Sequence, residues 1–210
     1  MTKLLCKLIF LLAIMLTFLA WGCRGTDTEP TASPAAPLPP DEAYCLSFSQ
    51  DIAYVGHSLK GFQIFDISQP DNPRLISELA LTGDPMDIAI RDNYALVASG
   101  YYGLQIIDIR QQDKPSLAGS YQPGSSNAYA SSLVLLPDMV MMATGMEGLE
   151  FVDIEDPLKP KPAHTLSPPA DGAITSITLK DQFAFIADDR SGLIIADISD
   201  PHRPQLLSVT

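Results

Sequence analysis

Cationic side chains are scarce in this chain: Lys and Arg number 13 against 25 Asp and Glu, a formal net charge of −12 at pH 7. Such a surface repels phosphate backbones, which argues against nucleic-acid binding, and the surplus carboxylates read as a solvated acidic surface. Cysteine is scarce too. Of three, Cys6 lies inside the N-terminal leader and Cys23 at its end, so Cys45 has no partner for an intramolecular disulfide. The fold must therefore hold by burial, and Cys45, beside Leu46 and Phe48, reads as a small buried apolar residue. Histidine occurs at His57, His164 and His202 only, in non-equivalent places of the pattern described below, which speaks against a histidine metal site. Also missing are a Cys-x-x-Cys pair, a phosphate-cradling glycine loop, EF-hand spacing and a glycine-flanked serine elbow. No metal and no cofactor is expected, and a non-enzymatic role follows.

Residues 1–22 carry two lysines near the start, an apolar run from Leu8 to Ala20, and small residues before Cys23, the layout of a signal peptide with a run short for a membrane span. The ending "LAWGC" resembles the bacterial lipobox, which implies lipidation of Cys23. Leu19 stands one place early and Trp21 is bulky for its position. Secretion without lipid and an uncleaved anchor stay open as alternatives. Residues 23–42 hold five prolines between Pro30 and Pro40 and one large apolar residue, Leu38, after the leader ends, so they form an extended tether between the lipid and the domain at 43–210. The expected address is exported and lipid-anchored to a bacterial membrane, on the periplasmic or cell-surface side.

That domain repeats itself. The stretches "GFQIFDI", "GLQIIDI", "GLEFVDI" and "GLIIADI" carry Asp66, Asp108, Asp153 and Asp197 at spacings of 42, 45 and 44 residues. Before each lies an apolar run ("IAYVG", "YALVA", "VMMAT", "FAFIA") across a glycine-bearing link that reads as a hairpin, and after each comes a proline turn. A shorter strand ("LSF", "IAI", "VLL", "ITL") opens each unit and another closes it, giving four strands per unit. In "GLQIIDI", Leu104 and Ile106 point to one face while Ile107 and Ile109 point to the other. Sheets apolar on both faces, in a chain without helices, must cover one another. The fold class is all-β, a β-propeller of four four-stranded blades. Small residues at Ser47, Ala89 and Thr178 suit the narrow axis, with Leu135 as the exception. The aspartates read as structural, each accepting turn amides; one per blade cannot assemble a calcium site.

The motif "FQIFD", "LQIID", "LEFVD", "LIIAD" resembles that of the LVIVD-repeat proteins over about residues 43–210. The resemblance implies a β-propeller on an exported protein and transfers no catalytic residue. Four blades are few for a propeller, so a self-closed ring, an incomplete chain, and a possible homodimer completing a larger ring all remain open. Hairpins between second and third strands share a rim with the links between blades. His57, Lys60, Tyr101, Tyr102, Met146, Glu147, Asp189 and Arg190 occupy those hairpins and are the binding-face candidates. The function expected is a binding or scaffold module in the cell envelope, with an envelope protein or carbohydrate as partner. The rival reading is a periplasmic hydrolase or lyase using Asp87, Asp188 and Asp189 near the channel.

Overall fold

Sixteen strands, all antiparallel to their sheet neighbours, account for the regular structure of a computed structural model that describes residues 42–167, 169 and 172–210. The segments expected to form a signal peptide, a lipidation site at Cys23 and a tether, Glu42 apart, lie outside the described residues. Blade 1 comprises β1 (Ala43–Ser49), β2 (Ile52–His57), β3 (Gly61–Asp66) and β4 (Arg74–Leu79). Blade 2 comprises β5 (Asp87–Arg91), β6 (Tyr94–Ala98), β7 (Leu104–Asp108) and β8 (Ser116–Tyr121). Blade 3 comprises β9 (Ser132–Leu135), β10 (Met139–Ala143), β11 (Leu149–Asp153) and β12 (Lys161–Leu166). Blade 4 comprises β13 (Ile174–Lys180), β14 (Phe183–Asp188), β15 (Gly192–Asp197) and β16 (Gln205–Val209). Strand order within each sheet is sequential, the simplest meander.

Local chemistry explains the repeated register. Each third strand opens beside a glycine of positive φ: Gly61 at 73°, Gly103 at 70°, Gly148 at 102° and Gly192 at 71°. A Cβ on Gly103 would lie 2.4 Å from the Tyr121 carbonyl oxygen, so the last residue of the outer strand closes over a position where only hydrogen fits. Between third and fourth strands the register slips once per blade, at Ile64/Phe65, Ile106/Ile107, Phe151/Val152 and Ile195/Ala196. An irregularity at the same place in every blade adds twist to the outer edge.

The core is three apolar layers between successive sheets. Tyr54, Phe62 and Ile64 of blade 1 meet Ile88, Val97 and Ile107 of blade 2. Leu96, Leu104 and Ile106 of blade 2 meet Val140, Met142 and Val152 of blade 3. Met141, Leu149 and Phe151 of blade 3 meet Ile177, Ile186 and Ile194 of blade 4. Leu104 and Ile106 thus serve one layer while Ile107 and Ile109 serve the other, as strand alternation requires. First strands lie innermost, β5 between β1 and β9, and β9 between β5 and β13. The arrangement is open: no core layer of the described residues joins blade 4 to blade 1, so a self-closed four-blade ring does not form.

One sequence expectation needs correction. Pairing places Val134 opposite Met141, the slot filled by Ser47 opposite Tyr54, Ala89 opposite Leu96 and Thr178 opposite Phe185. The third unit's opening strand is therefore "LVL" rather than "VLL", and Val134, not Leu135, is the axial residue. In a run of four consecutive aliphatic residues, hydrophobicity alone does not fix the phase.

Candidate binding face

Hairpins between second and third strands do meet the links between blades, and the contacts are specific. Tyr101 in the β6–β7 hairpin packs edge-on against Tyr129 of the β8–β9 link, ring centroids 4.8 Å apart. The Tyr129 hydroxyl lies 3.2 Å from the sulfur of Met86, just ahead of β5. Ser125 donates to Glu147 Oε1 at 2.6 Å, tying the same link to the β10–β11 hairpin. In blade 4 the backbone N–H of Ala173 donates to Asp189 Oδ1 at 2.7 Å. Backbone bridges repeat the theme at Gly100–Ala130 and Gly145–Ile174. The hairpins of blades 2 and 3 are thereby pinned to the entry of the next blade, and those of blades 3 and 4 to the entry of their own, which fixes this stretch of the rim as one surface.

On that rim Tyr101 is 62% exposed, Tyr102 48% and Met146 64%. Large apolar groups held in water by a rigid scaffold are the usual anchors of a protein or carbohydrate contact. Lys60, Asp189 and Arg190 are exposed as well, on the first and last blades of the row, while Glu147 is half-buried. His57 is different. It is 7% exposed, and its Nδ1 accepts the backbone N–H groups of Leu59 and Lys60 at 3.3 Å each, so it caps its own hairpin and presents no contact surface. Sequence reasoning missed Tyr129, which lies in a link between blades rather than in a hairpin. Burial, then the nearby charge of Asp84, pushes its phenol above the usual range.

The carboxylates of the rival reading are engaged by the fold. Asp87 Oδ2 accepts from the Ser132 hydroxyl at 3.1 Å and from the Leu133 N–H at 2.9 Å, joining the inner strands of blades 2 and 3. Asp188 Oδ1 accepts the N–H groups of Arg190 and Ser191. Burial raises its pKa, but those backbone bonds, the Ser191 hydroxyl and the Arg190 charge together outweigh it and leave the carboxyl below its usual range. A general acid must hold its proton near neutral pH, and Asp188, kept ionised by those bonds, does not.

The repeat aspartates share one geometry. Asp66, Asp108, Asp153 and Asp197 each accept the backbone N–H two residues on, at 2.9, 3.0, 2.9 and 2.8 Å. Ion pairs with Arg74 and Arg110 brace the first two. Cys45 donates its thiol to the Pro85 carbonyl at 3.1 Å, and burial, followed by the charge of Asp87, pushes its pKa up to about 12. Such a thiol is no nucleophile. A crevice of about 160 Å³ between blades 2 and 3 opens on the opposite rim, lined by Arg91, Asp92, Glu155 and Pro157 among others. It is small for an organic ligand.

No curated protein matches the chain. Among solved structures, the computationally designed Ika4 protein aligns with a TM-score of 0.60 at 13% identity, over 81% of this chain and 98% of that one. The computationally designed Ika8 protein aligns with a TM-score of 0.61 at 14% identity, over 80% of this chain and 48% of that one. At such identities the likeness is one of fold. Blade 3 keeps the sheet, the glycine and the aspartate but lies outside the stretches where the LVIVD repeat is recognised, which are residues 42–80, 82–123 and 171–209. Those stretches carry blades 1, 2 and 4, more than half of the sequence, and on that match the chain belongs to the LVIVD-repeat family.

Proposed function

We propose that this protein is an exported lipoprotein whose propeller blades act as a non-enzymatic binding or scaffold module in the cell envelope. The observation that carries the reading is the hairpin rim, where Tyr101, Tyr102 and Met146 stand exposed on hairpins pinned by Tyr129 and Ser125. Rigid aromatics lose little conformational entropy on contact, so such a rim suits an envelope protein or a carbohydrate chain. The acidic surface favours a neutral or cationic partner. Lipid on Cys23, followed by the proline-rich stretch, would hold the rim away from a bilayer while keeping it concentrated there.

Two measurements test the parts separately. Metabolic labelling with a palmitate analogue should mark the wild-type chain and not Cys23→Ser; an unlabelled wild type defeats the anchoring claim. A photo-crosslinking amino acid placed at residue 102 or 146 in cells should give discrete adducts that the same probe at Leu117, on an outer strand, does not give. Loss of the residue 146 adducts on replacing Tyr101 and Tyr102 by serine is expected. Identical adducts from all three sites would defeat the rim as a binding face.

A further inference from the structure

The two end blades each leave one sheet face uncovered, and the register shows what those faces are. On blade 1, Leu46 pairs with Val55 and Phe48 with Ala53. The same slots in the other blades hold Ile88 and Ile90, Leu133 and Leu135, and Ile177 and Leu179. In those blades the slots face the preceding blade and belong to the core layers. On blade 1 Leu46 is 43% and Phe48 50% exposed. Blade 4 mirrors this on its opposite face. Phe183, Phe185, Leu193 and Ile195 occupy the slots that in blade 3 hold Met139, Met141, Leu149 and Phe151, all buried against the next blade. Phe183, Phe185 and Ile195 are half-buried and Leu193 is exposed.

Each free face therefore has a partner of known chemistry within the same molecule. Three times within the molecule a face of the blade 4 kind covers a face of the blade 1 kind through an apolar layer. The two free faces are the fourth such pair, held apart because four blades do not bring them together. We propose that two copies of this chain join blade 4 of each to blade 1 of the other, forming a two-fold ring of eight blades. Both junctions are equivalent under the two-fold axis, so all four free faces are covered and growth stops. The chain superposes on 98% of the Ika4 chain and on 48% of the Ika8 chain, so a similar run of sheets occurs both as nearly a whole chain and as about half of a longer one. Phe48, Leu46 and Leu193 carry no other evident duty. Contiguous apolar faces of this kind are what monomers avoid. The proposal stands apart from the anchoring and rim-binding reading above.

The test is native mass spectrometry of the full-length chain released from a mild detergent, with Leu46→Glu, Leu193→Glu and the outer-strand control Leu117→Glu. Wild type and control should appear at twice the chain mass at micromolar concentration. Each face variant should fall to the monomer mass, with at least about a tenfold rise in the dissociation constant, as a charge on either side of an apolar junction requires. Circular dichroism must show the wild-type β spectrum for both, which their exposure in the single chain allows. A monomeric wild type overturns the proposal, as does a ladder of larger masses, which would mean open head-to-tail growth. A dimer indifferent to both face variants overturns it too, since it would place the contact elsewhere.

Discussion

Truncating Asp87 to alanine tests whether polar clasps at the inner strands hold neighbouring blades together. Its Oδ2 receives the Leu133 N–H at 2.9 Å and the Ser132 hydroxyl at 3.1 Å, both from blade 3, while Oδ1 receives the N–H of Ile88 at 3.0 Å. Hydrogen bonds to a charged acceptor contribute about 1.5–3 kcal/mol each, and the residue is half-buried, so water replaces part of what is lost. The two bonds between blades then give about 2–3 kcal/mol for Asp87→Ala. With a urea slope of about 2 kcal/mol per molar, the unfolding midpoint should drop by about 1–1.5 M. Asp87→Asn, which keeps one acceptor oxygen, should lose about half as much. The control is Asp138→Ala, whose side chain is 78% exposed with Arg91 at 3.8 Å. That exposed pair should shift stability by less than about 0.5 kcal/mol. The reasoning fails if Asp87→Ala unfolds within about 0.3 M of wild type, or if Asp138→Ala falls as far.

Three further outcomes follow from the same contacts. Gly103→Ala should destabilise by about 1–3 kcal/mol in denaturant melts, because φ is 70° and the new Cβ would lie 2.4 Å from the Tyr121 carbonyl. Glu150, buried at the slot held by Gln63 and Gln105 in blades 1 and 2, has its pKa raised by burial despite the hydrogen bond from Tyr121. A raised folded pKa is stabilising below the ordinary carboxylate range and loses that advantage as pH rises through the folded value. Glu150→Gln should therefore melt at least about 1 °C above wild type at pH 7 to 8, with the two curves converging below about pH 4; a lower melting temperature at pH 8 would count against it. Cys45, with its pKa pushed up to about 12, should resist iodoacetamide at pH 8 in the folded protein and react fully in denaturant, read by peptide mass spectrometry so that no other cysteine contributes.

How far the site was legible follows from what kind of contact made it. Strand order alone put Tyr101, Tyr102, Met146 and Glu147 on hairpins of one rim. Tyr129 could not be found that way, because its contact with Tyr101 spans 28 residues of chain and depends on how the link between blades 2 and 3 folds back. His57 shows the converse. Its place beside the hairpin, as the last residue of β2, was readable, while its inward ring and two backbone donors were not, since both depend on χ angles set by packing.

What the sequence determined by itself was the blade: four units of four strands, glycines before the third strand, aspartates before the proline turn. These features are local, and side-chain alternation, left-handed glycines and turn amides act over a few residues. Tertiary structure alone decided the phase of "LVL" in blade 3, the engagement of Asp87 by a neighbouring blade, and the opening of the arc. Each depends on the angle between successive sheets. A repeat fixes what every blade is made of, but the rotation from one blade to the next is set by side-chain volumes across three interfaces, and no single repeat contains them.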